Sequence, residues 1–463
     1  MENRKEKDSL GEREVPNSAY WGIQTLRAQE NFSISGRRAG AVFVRAYVLI
    51  KKACALANRD LGALGMDRAE AIMAAANEAL EGKHLDQFVI DIYQAGAGTS
   101  FNMNGNEVLA NRALEIMGRK KGEYEALSPN EHVNCGQSSN DTFPTASHLA
   151  VLLEFPRLSK AIETLVKAYA AKGREFADVL KSARTHLRDA VPITLGQEFG
   201  AYAVAIEECH TQMAGASDLL RYVALGGTAA GTGMNAAKGF RQAAISSLAN
   251  LSGVNLYAAR DARYALQSHF PLLAFSGAMR NFALELIRLA NDLRLLASGP
   301  LTGLGEITLP AVQPGSSMMP GKVNPSMAEA LNQIAFDVVG ADATTALASQ
   351  AGQLDLNVMT PISIFRILDS MSILGNFLPV FAKKCVEGIT VDRERCRYYF
   401  GISPSLATAL TPKIGYLKSA EIFKECVESK TPVPDLARQK NLISEEEMNR
   451  LFDPKALTGE ADA

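Results

Sequence analysis

Apolar residues recur at intervals of three and four positions along most of this 463-residue chain. That spacing places apolar side chains on one side of an α-helix, whereas a half-buried strand would need strict alternation, which is scarce here. The 18 prolines are too few to interrupt the pattern often. The sequence therefore predicts an all-α protein.

Two segments indicate how such helices pack. From Arg157 to Leu180 the apolar residues form one stripe, with lysine and glutamate on the other faces. From Met279 to Ala297, Leu284 and Leu295 add apolar side chains on further faces. A helix that is apolar on several faces belongs inside a bundle or at a contact between subunits.

Changes in this pattern predict three domains, the number expected for 463 residues at an average of roughly 150 per domain. Residues 1–140 mix helices with irregular segments, and residues 141–392 contain the longest helical patterns. Residues 393–463 have shorter helical patterns and more charged residues. We expect a mainly helical N-terminal domain, a central long-helix bundle and a small C-terminal helical domain.

Charge and cysteine content argue against several classes of protein. A formal net charge of -2 provides no global basic field, so we expect neither nucleic acid nor a membrane surface as partner. The six cysteines form no Cys-x-x-Cys pair, and the six histidines lack His-x-x-x-His spacing, so we expect no disulfide framework and no metal. The charged N-terminus and the lack of about 18 consecutive apolar residues favour a cytoplasmic location.

The segment from Pro314 to Pro325 is the loop that most favours chemistry. It carries two hydroxyls, an ammonium and an amide, on Ser316, Ser317, Lys322 and Asn324. Gly315 and Gly321 allow such a loop to close over a ligand, with Lys322 and Asn324 against a carboxylate. The alternative is an ordinary solvent-exposed loop, but the density of hydrogen-bond donors favours a binding site.

Three other polar segments are weaker candidates when taken singly. Ser138, Ser139 and Asn140 precede a predicted helix, whose unpaired N–H groups and dipole could hold a carboxylate, although capping alone would also explain them. Thr99 follows a glycine-rich turn. Thr185 and His186 lie near Asp189, and a histidine in such a place is either catalytic or simply packed or solvated.

Taken together and in this order, these segments resemble the aspartase/fumarase superfamily, whose characteristic loop corresponds to Gly315 through Pro325. The similarity covers nearly the whole chain, including the segments Leu10 to Pro16, Gly98 to Ser100, Gln137 to Asp141, Thr185 to Leu187, Leu195 to Glu198, Gly231 to Asn235 and Leu356 to Val358. Leu10 to Pro16, Ser128 to Asn134, Asn291 to Leu296 and Gly352 to Leu354 are most similar to the branch that releases ammonia from L-aspartate.

The resemblance implies a three-domain aspartase/fumarase fold and a homotetramer, in which long central helices of four subunits form one bundle and loops of three subunits form each active site. It implies an anti elimination of ammonia from a 2-aminosuccinate, a small dicarboxylate substrate, with L-aspartate as the leading member, to give fumarate. It implies that no organic or metal cofactor is needed.

The resemblance also implies a role for each candidate residue. One carboxylate of the substrate would be held by Thr99, Ser138, Ser139 and Ser317. The other carboxylate would be held by Thr185, Lys322 and Asn324. Ser316 would be the catalytic base, and Asn140 and His186 would contact the leaving amino group, with His186 as the second catalytic residue. Removing a proton beside a carboxylate forms a doubly charged enediolate, so many donors must converge on one carboxylate.

Several residues depart from the aspartase pattern. Leu301 and Thr360 stand where aspartases usually carry Arg and Glu, Ser139 to Asp141 has the fumarase form, and Leu266 to Phe270 is unusual for the family. The alternatives are therefore a fumarate hydratase and a lyase for another 2-substituted succinate. A non-catalytic helical scaffold would be expected to lose the residues of the mobile loop, but Ser316, Lys322 and Asn324 are all present.

Overall fold

A computed structural model describes residues 2 to 459 of the chain. The helices of this part are α1 (Ile23–Asn31), α2 (Ala41–Asp60), α3 (Met66–Leu80), α4 (Thr99–Ile116), α5 (Ser139–Glu175), α6 (Leu195–Asp218), α7 (Phe240–Ser252), α8 (Ala262–Gln267), α9 (Phe270–Leu296), α10 (Ser326–Gln350), α11 (Thr360–Phe381), α12 (Arg393–Ile402), α13 (Thr411–Ile414), α14 (Tyr416–Ser429), α15 (Val433–Gln439), α16 (Glu445–Leu451) and α17 (Pro454–Thr458).

The strands of residues 2 to 459 are short and form four two-stranded sheets. They are β1 (Asn3–Asp8), β2 (Gly11–Pro16), β3 (Leu180–Thr185), β4 (Arg188–Thr194), β5 (Tyr222–Val223), β6 (Tyr257–Ala258), β7 (Ile307–Thr308) and β8 (Thr390–Val391). The pairs β1–β2, β3–β4 and β7–β8 are antiparallel, and β5–β6 is parallel. The prediction of an all-α protein is confirmed.

Helix α5 differs from its prediction at both ends. It begins at Ser139, although Ser139 and Asn140 are predicted to precede the helix. It ends at Glu175, so the predicted helical stripe to Leu180 is wrong over its last residues. The chain turns there because Phe176 and Val179 accept hydrogen bonds from the amides of Gly196 and Leu195, and Leu180 begins β3. These bonds join residues on either side of a hairpin, so helical spacing alone does not reveal them.

The chain divides into two compact units. The first comprises the residues up to Ser159, Cys209–Ala283 and Phe336–Leu374, and the second comprises Lys160–Glu208, Leu284–Ala335 and Gly375 onward. The boundary falls inside five helices, α5, α6, α9, α10 and α11, so each unit contains part of each. The three domains 1–140, 141–392 and 393–463 remain a prediction, and residue 1 and residues 460–463 lie outside the described part.

In the first unit, α2 packs against α3 and α7, and α3 packs against α4. An aromatic cluster joins α2, α4 and α5, because Phe101 of α4 lies 5.2 Å from Phe43 and 5.1 Å from Tyr47, and Phe143 of α5 lies 4.9 Å from Phe43. These rings lie within one or two helical turns of the starts of α4 and α5. The cluster therefore fixes both helix N-termini relative to each other.

In the second unit, the β3–β4 hairpin packs against α12 and against the 3-10 helix Pro404–Leu410. A separate apolar core lies near the C-terminus and includes Leu406, Leu410, Ile422, Val433, Leu436 and Met448. Within α9, Leu286, Leu289 and Leu293 are fully buried, while Leu284 and Leu295 stay exposed. The predicted apolar residues on several faces of this helix are thus partly uncovered in one subunit.

By length and composition, one helical segment of the described chain, Thr360–Val386, could cross a membrane. Of its most apolar stretch, 44% is buried within the protein. Core helices of water-soluble proteins have the same length and composition, so this segment is weak grounds for a membrane span.

Candidate active site

The N-termini of α4 and α5 meet at a pair of hydroxyls. Thr99 is the first residue of α4 and Ser139 is the first residue of α5, and their Oγ1 and Oγ atoms lie 3.0 Å apart. Gly98 allows this approach, because it has a φ of +67° and an added Cβ would overlap the ring of Phe143. Two helix N-termini, each with unpaired N–H groups and positive partial charge, therefore converge on one place where an anion can bind.

Asp141 anchors the start of α5 from within. Its fully buried carboxylate accepts hydrogen bonds from the amides of Ser138, Gly226 and Thr228, each at 2.9 Å. Burial raises the pKa of Asp141 to about 6, while the three N–H donors oppose that rise by favouring the carboxylate. The carboxylate thus ties Ser138 to the glycine-rich segment from Gly226 to Asn235.

Asn140 is held in one orientation by the same segment. Its Nδ2 donates to the carbonyl oxygen of Ala229 at 2.8 Å. Since the amide nitrogen is engaged, Oδ1 is the acceptor that Asn140 can offer to a ligand. The backbone N–H of Asn140 donates to Ser138 Oγ at 3.2 Å. Thr99, Ser138, Ser139 and Asn140 therefore form one cluster, and the family resemblance assigns all four to the substrate site.

Thr185 and His186 lie at the tip of the β3–β4 hairpin. Thr185 pairs with Arg188 across a two-residue turn, in which His186 and Leu187 have φ values of 56° and 57°. This is the turn geometry that the twist of a hairpin favours, but residues other than Gly and Asn adopt it at a cost. The turn exposes both Thr185 and His186.

A buried ionic network anchors strand β3 of this hairpin. Glu306 is fully buried, and its carboxylate accepts from Arg184 Nη1 at 2.9 and 3.0 Å. Lys181, also on β3, lies 2.9 Å from Glu306 and 2.7 Å from Glu198. Arg184 directly precedes Thr185, so the network fixes the strand that carries the two predicted site residues.

The loop from Pro314 to Pro325 is folded on itself. Gly315 N donates to the carbonyl oxygen of Lys322 at 2.9 Å, and Asn324 Nδ2 donates to the carbonyl oxygen of Gly315. A Cβ on Gly315 would overlap the backbone of Lys322 and Asn324, so glycine is required there. Ser317 and Lys322 are exposed, and Ser316 and Asn324 are half-buried.

Within this loop the Ser316 hydroxyl is surrounded by donors. Its Oγ accepts from the amides of Met318 at 3.2 Å and Met319 at 2.8 Å. Hydrogen bonds from N–H groups stabilise an oxygen anion more than a neutral hydroxyl. This arrangement favours the alkoxide that a serine base requires.

Of the ten predicted site residues, the structure groups four at the starts of α4 and α5. The other six lie in the second unit, two on the hairpin tip and four on the loop Pro314 to Pro325. The roles assigned to all ten in binding and catalysis stay predictions. Among residues 2 to 459, no group of three or more His, Cys, Asp or Glu side chains could hold a metal ion.

Two sequence departures contact each other. Thr360 Oγ1, at the start of α11, lies 3.0 Å from His269 Nε2, and both side chains are buried. Burial lowers the pKa of His269 to about 4, so the imidazole is neutral at pH 7. The unusual segment Leu266 to Phe270 therefore supplies a partner for Thr360. Leu301 is 84% exposed and has no such partner within the described residues.

Sequence reasoning missed Lys51 and Glu306. Lys51 lies on the buried stripe of α2, together with Tyr47, Cys54 and Asn58. A lysine in that stripe, at helical spacing from an aromatic residue, was the available signal. For Glu306 no local pattern existed, because its partners Lys181 and Arg184 are more than a hundred residues away in the chain.

Comparison with known proteins gives consistent matches. A family model described as "Lyase" matches residues 11–340, and one described as "Fumarase C C-terminus" matches residues 406–459. Aspartate ammonia-lyase of Bacillus subtilis is 46% identical over 99% of this chain and 96% of its own length. The enzymes of the same name from Pseudomonas aeruginosa and Escherichia coli are 47% and 44% identical, each over 98% of this chain and over 97% and 96% of their own lengths.

Solved structures agree with this grouping. A fumarate lyase:delta crystallin from Brucella melitensis, bound to cobalt, superimposes with a TM-score of 0.94 at 47% identity, over 98% of this chain and 99% of that one. A class II fumarase from Schistosoma mansoni superimposes with a TM-score of 0.93 at 36% identity, over 98% of each chain.

Proposed function

Since the chain belongs to the lyase family that includes the aspartate ammonia-lyases, we propose that it is a carbon–nitrogen lyase that eliminates ammonia from L-aspartate to give fumarate. The observation that carries this assignment is the 43 to 47% identity to aspartate ammonia-lyases over nearly the whole chain. The geometry at the starts of α4 and α5 supports it, because an elimination of this kind needs a strong anion site.

The elimination begins with loss of a proton from the carbon beside one carboxylate. The electron pair left behind spreads into that carboxylate and forms an enediolate with two negative charges. The Thr99 and Ser139 hydroxyls and the N-termini of α4 and α5 supply donors for this species, with Ser138 next to them. Ser317 joins these donors when the substrate is bound, and Thr185, Lys322 and Asn324 hold the other carboxylate.

Ser316 accepts the proton as an alkoxide. The amides of Met318 and Met319, which already donate to its Oγ, stabilise the anion, and the positive charge of Lys322 in the same loop adds to the effect. The electron pair then forms the carbon–carbon double bond as the carbon–nitrogen bond breaks. Ammonia leaves, and fumarate remains bound by its two carboxylates.

The orientation of Asn140 favours an amine as the leaving group. Its Nδ2 is engaged by Ala229, so Oδ1 faces the substrate as an acceptor. An ammonium donates three protons and a hydroxyl donates one, so a site of acceptors favours the ammonium. His186 supplies the second acceptor through an imidazole nitrogen.

The proposed enzyme is a cytoplasmic homotetramer with active sites shared between subunits. Several exposed apolar side chains support an assembly: Leu187, Met234, Leu301, Met318 and Leu354 are each at least 74% exposed. Leu187, Met234, Met318 and Leu354 lie within segments that resemble the aspartase/fumarase superfamily. Burying such apolar side chains against another subunit would stabilise the assembly, because it removes apolar surface from water.

A substrate panel tests the assignment. We expect the purified protein to form fumarate and ammonia from L-aspartate in preference to 3-methylaspartate, N-substituted aspartates and L-malate. The readouts are ammonia release and fumarate absorbance. Fumarate formed from L-malate alone would replace the proposal with fumarate hydration, and activity only on a substituted aspartate would assign the selectivity to Leu301 and to the Thr360–His269 pair.

A further inference from the structure

We propose that Lys51 is a positioning residue for the carboxylate site: its buried ammonium holds the turn that precedes α5 and places a positive charge behind the N-terminus of that helix. The proposal rests on the proposed function, because it assigns the carboxylate of the substrate to this helix start. Lys51 itself is fully buried, so it acts through the residues of the turn.

All three protons of the Lys51 ammonium have partners. Nζ donates to the side-chain oxygens of Asn102 at 2.7 Å, Gln137 at 2.9 Å and Asn134 at 3.1 Å. All three acceptors are neutral amides, so no hydrogen-bonded carboxylate cancels the charge. Burying an ion without a paired counter-ion is costly, and here the amide oxygens offset only part of that cost.

The same amides define the shape of the turn. Asn134 Nδ2 donates to the carbonyl oxygen of Gln137 at 3.1 Å, and Gln137 Nε2 donates to the carbonyl oxygens of Val133 at 2.9 Å and Cys135 at 3.2 Å. Lys51 therefore fixes both the side chain and, through Asn134, the backbone of Gln137. Gln137 directly precedes Ser138, so a shift of the turn moves the hydroxyl cluster.

The surroundings of Lys51 allow its charge to act on an anion at the helix start. Its titratable neighbours are Tyr47 and Cys54 on α2 and Asp141 on α5. Burial raises the pKa of Tyr47 and of Cys54, so both are neutral at pH 7. Burial lowers the pKa of Lys51 to about 7 and raises that of Asp141 to about 6. The ammonium is therefore lost as the pH rises through about 7.

The first test compares two lysine variants. Lys51→Met keeps an unbranched side chain, shorter by one heavy atom, and removes its charge. Lys172→Met is the matched control, because Lys172 is also buried and hydrogen-bonded, to Glu175 and to the carbonyl oxygen of Ile389, but lies near the far end of α5, whose 37 residues span roughly 55 Å. KM and kcat for L-aspartate and the calorimetric Kd for succinate are measured for both, with thermal unfolding as the readout of stability.

We expect Lys51→Met to raise KM and the succinate Kd at least tenfold with a smaller change in kcat, and Lys172→Met to change both constants less than twofold. Lys51→Met with both constants within twofold of wild type overturns the proposal, whatever its Tm. The succinate Kd does not require turnover, so it tests the role of Lys51 even if the wild type fails to act on L-aspartate. That failure would refute the proposed function alone.

The second test uses pH and needs no neutral variant. The succinate Kd of the wild type should rise, meaning weaker binding, as the pH rises from 6 to 9, with a midpoint near the lowered pKa of Lys51. Lys51→Arg stays protonated over this range, so its succinate Kd should not show this rise. If either variant fails to fold, the wild-type profile decides alone. A wild-type Kd that is constant from pH 6 to 9 overturns the proposal.

Discussion

At the scale of single residues, the chemistry depends on groups whose ordinary properties are changed by their neighbours. A serine hydroxyl is a poor base, and Ser316 becomes one only if its anion is stabilised. The two backbone amides on its Oγ provide that stabilisation within the loop itself. His186 differs, since its backbone has a positive φ and its side chain is exposed at the hairpin tip.

Ser316→Ala should therefore abolish turnover while leaving the fold and assembly intact. The substitution removes one hydroxyl from a half-buried loop position and no structural partner other than two amides. The checks are steady-state ammonia release, circular dichroism and size-exclusion chromatography. A variant that kept more than a few per cent of the wild-type rate would require another group to be the base.

His186→Asn should weaken the binding of the amine without disturbing the turn. Asparagine tolerates the left-handed conformation that residue 186 adopts, so the hairpin keeps its shape, whereas alanine would add backbone strain. We expect KM for L-aspartate to rise several-fold, corresponding to about 1 kcal/mol for one lost hydrogen bond. Inhibition by succinate, which lacks the amino group, should stay nearly unchanged, and equal weakening of both would place His186 on a carboxylate.

At the scale of secondary structure, two of the three site segments are held to other elements by a fully buried carboxylate. Asp141 joins the start of α5 to the amides of Gly226 and Thr228. Glu306, just before β7, holds Arg184 and Lys181 of β3. Both carboxylates are fully buried, so each supports its segment in a region where water cannot replace the lost partner.

Glu306→Gln should destabilise the second unit and disturb the hairpin tip. The substitution leaves Arg184 and Lys181 without their shared countercharge, and removing one member of a buried ionic network costs about 3 kcal/mol. Urea unfolding at fixed protein concentration measures the loss, and KM for L-aspartate reports the shift of Thr185 and His186.

The matched control for this change is Glu175→Gln. Glu175 also pairs with a buried lysine, Lys172, but its own side chain is about half exposed, so its loss should cost less than about 1 kcal/mol. Equal losses of stability in the two variants would contradict the supporting role of Glu306.

At the scale of the whole molecule, the chain exposes apolar side chains that would not stabilise a monomer. Leu284 and Leu295 remain exposed on α9, and Met318 and Leu187 stand out from the two site segments of the second unit. Covering these residues by other subunits would bury apolar area and would bring site segments of different copies together. This is the arrangement that the proposed tetramer with shared sites requires.

A hybrid experiment tests shared sites directly. Lys322→Ala should be nearly inactive and His186→Ala should be several-fold less active with L-aspartate below its KM, yet a mixture that is dissociated and reassembled should be more active than the mean of the two. If the two residues come from different subunits, random 1:1 hybrids contain about one intact site in four, and those sites alone should return about a quarter of the wild-type activity. Mixed tetramers that form, as shown by mass spectrometry, but do not exceed the mean activity of the two variants would refute sharing of these two residues between subunits.

The sequence alone predicts the features that depend on local order. Apolar spacing of three and four residues predicts the helical fold, because the period of the side chains decides which secondary structure can bury them. Glycine, proline and short polar residues locate the loop Pro314 to Pro325, whereas the common site of Thr99, Ser138, Ser139 and Asn140 is implied by the family resemblance. The helices and the loop are set by neighbours within a few positions along the chain, whereas Thr99 and Ser139, 40 positions apart, meet through the packing of α4 and α5.

Only the tertiary structure decides the features that depend on burial and on distant partners. The hydrogen bonds of Phe176 and Val179 end α5 and turn Leu180 into a strand, and Thr360 meets His269 across 91 positions. Lys51 and Glu306 become important because folding removes water from them and supplies amide oxygens or cations in its place. Solvent exclusion is a property of the packed chain, so the sequence pattern around a lysine or glutamate does not by itself show what surrounds its charge.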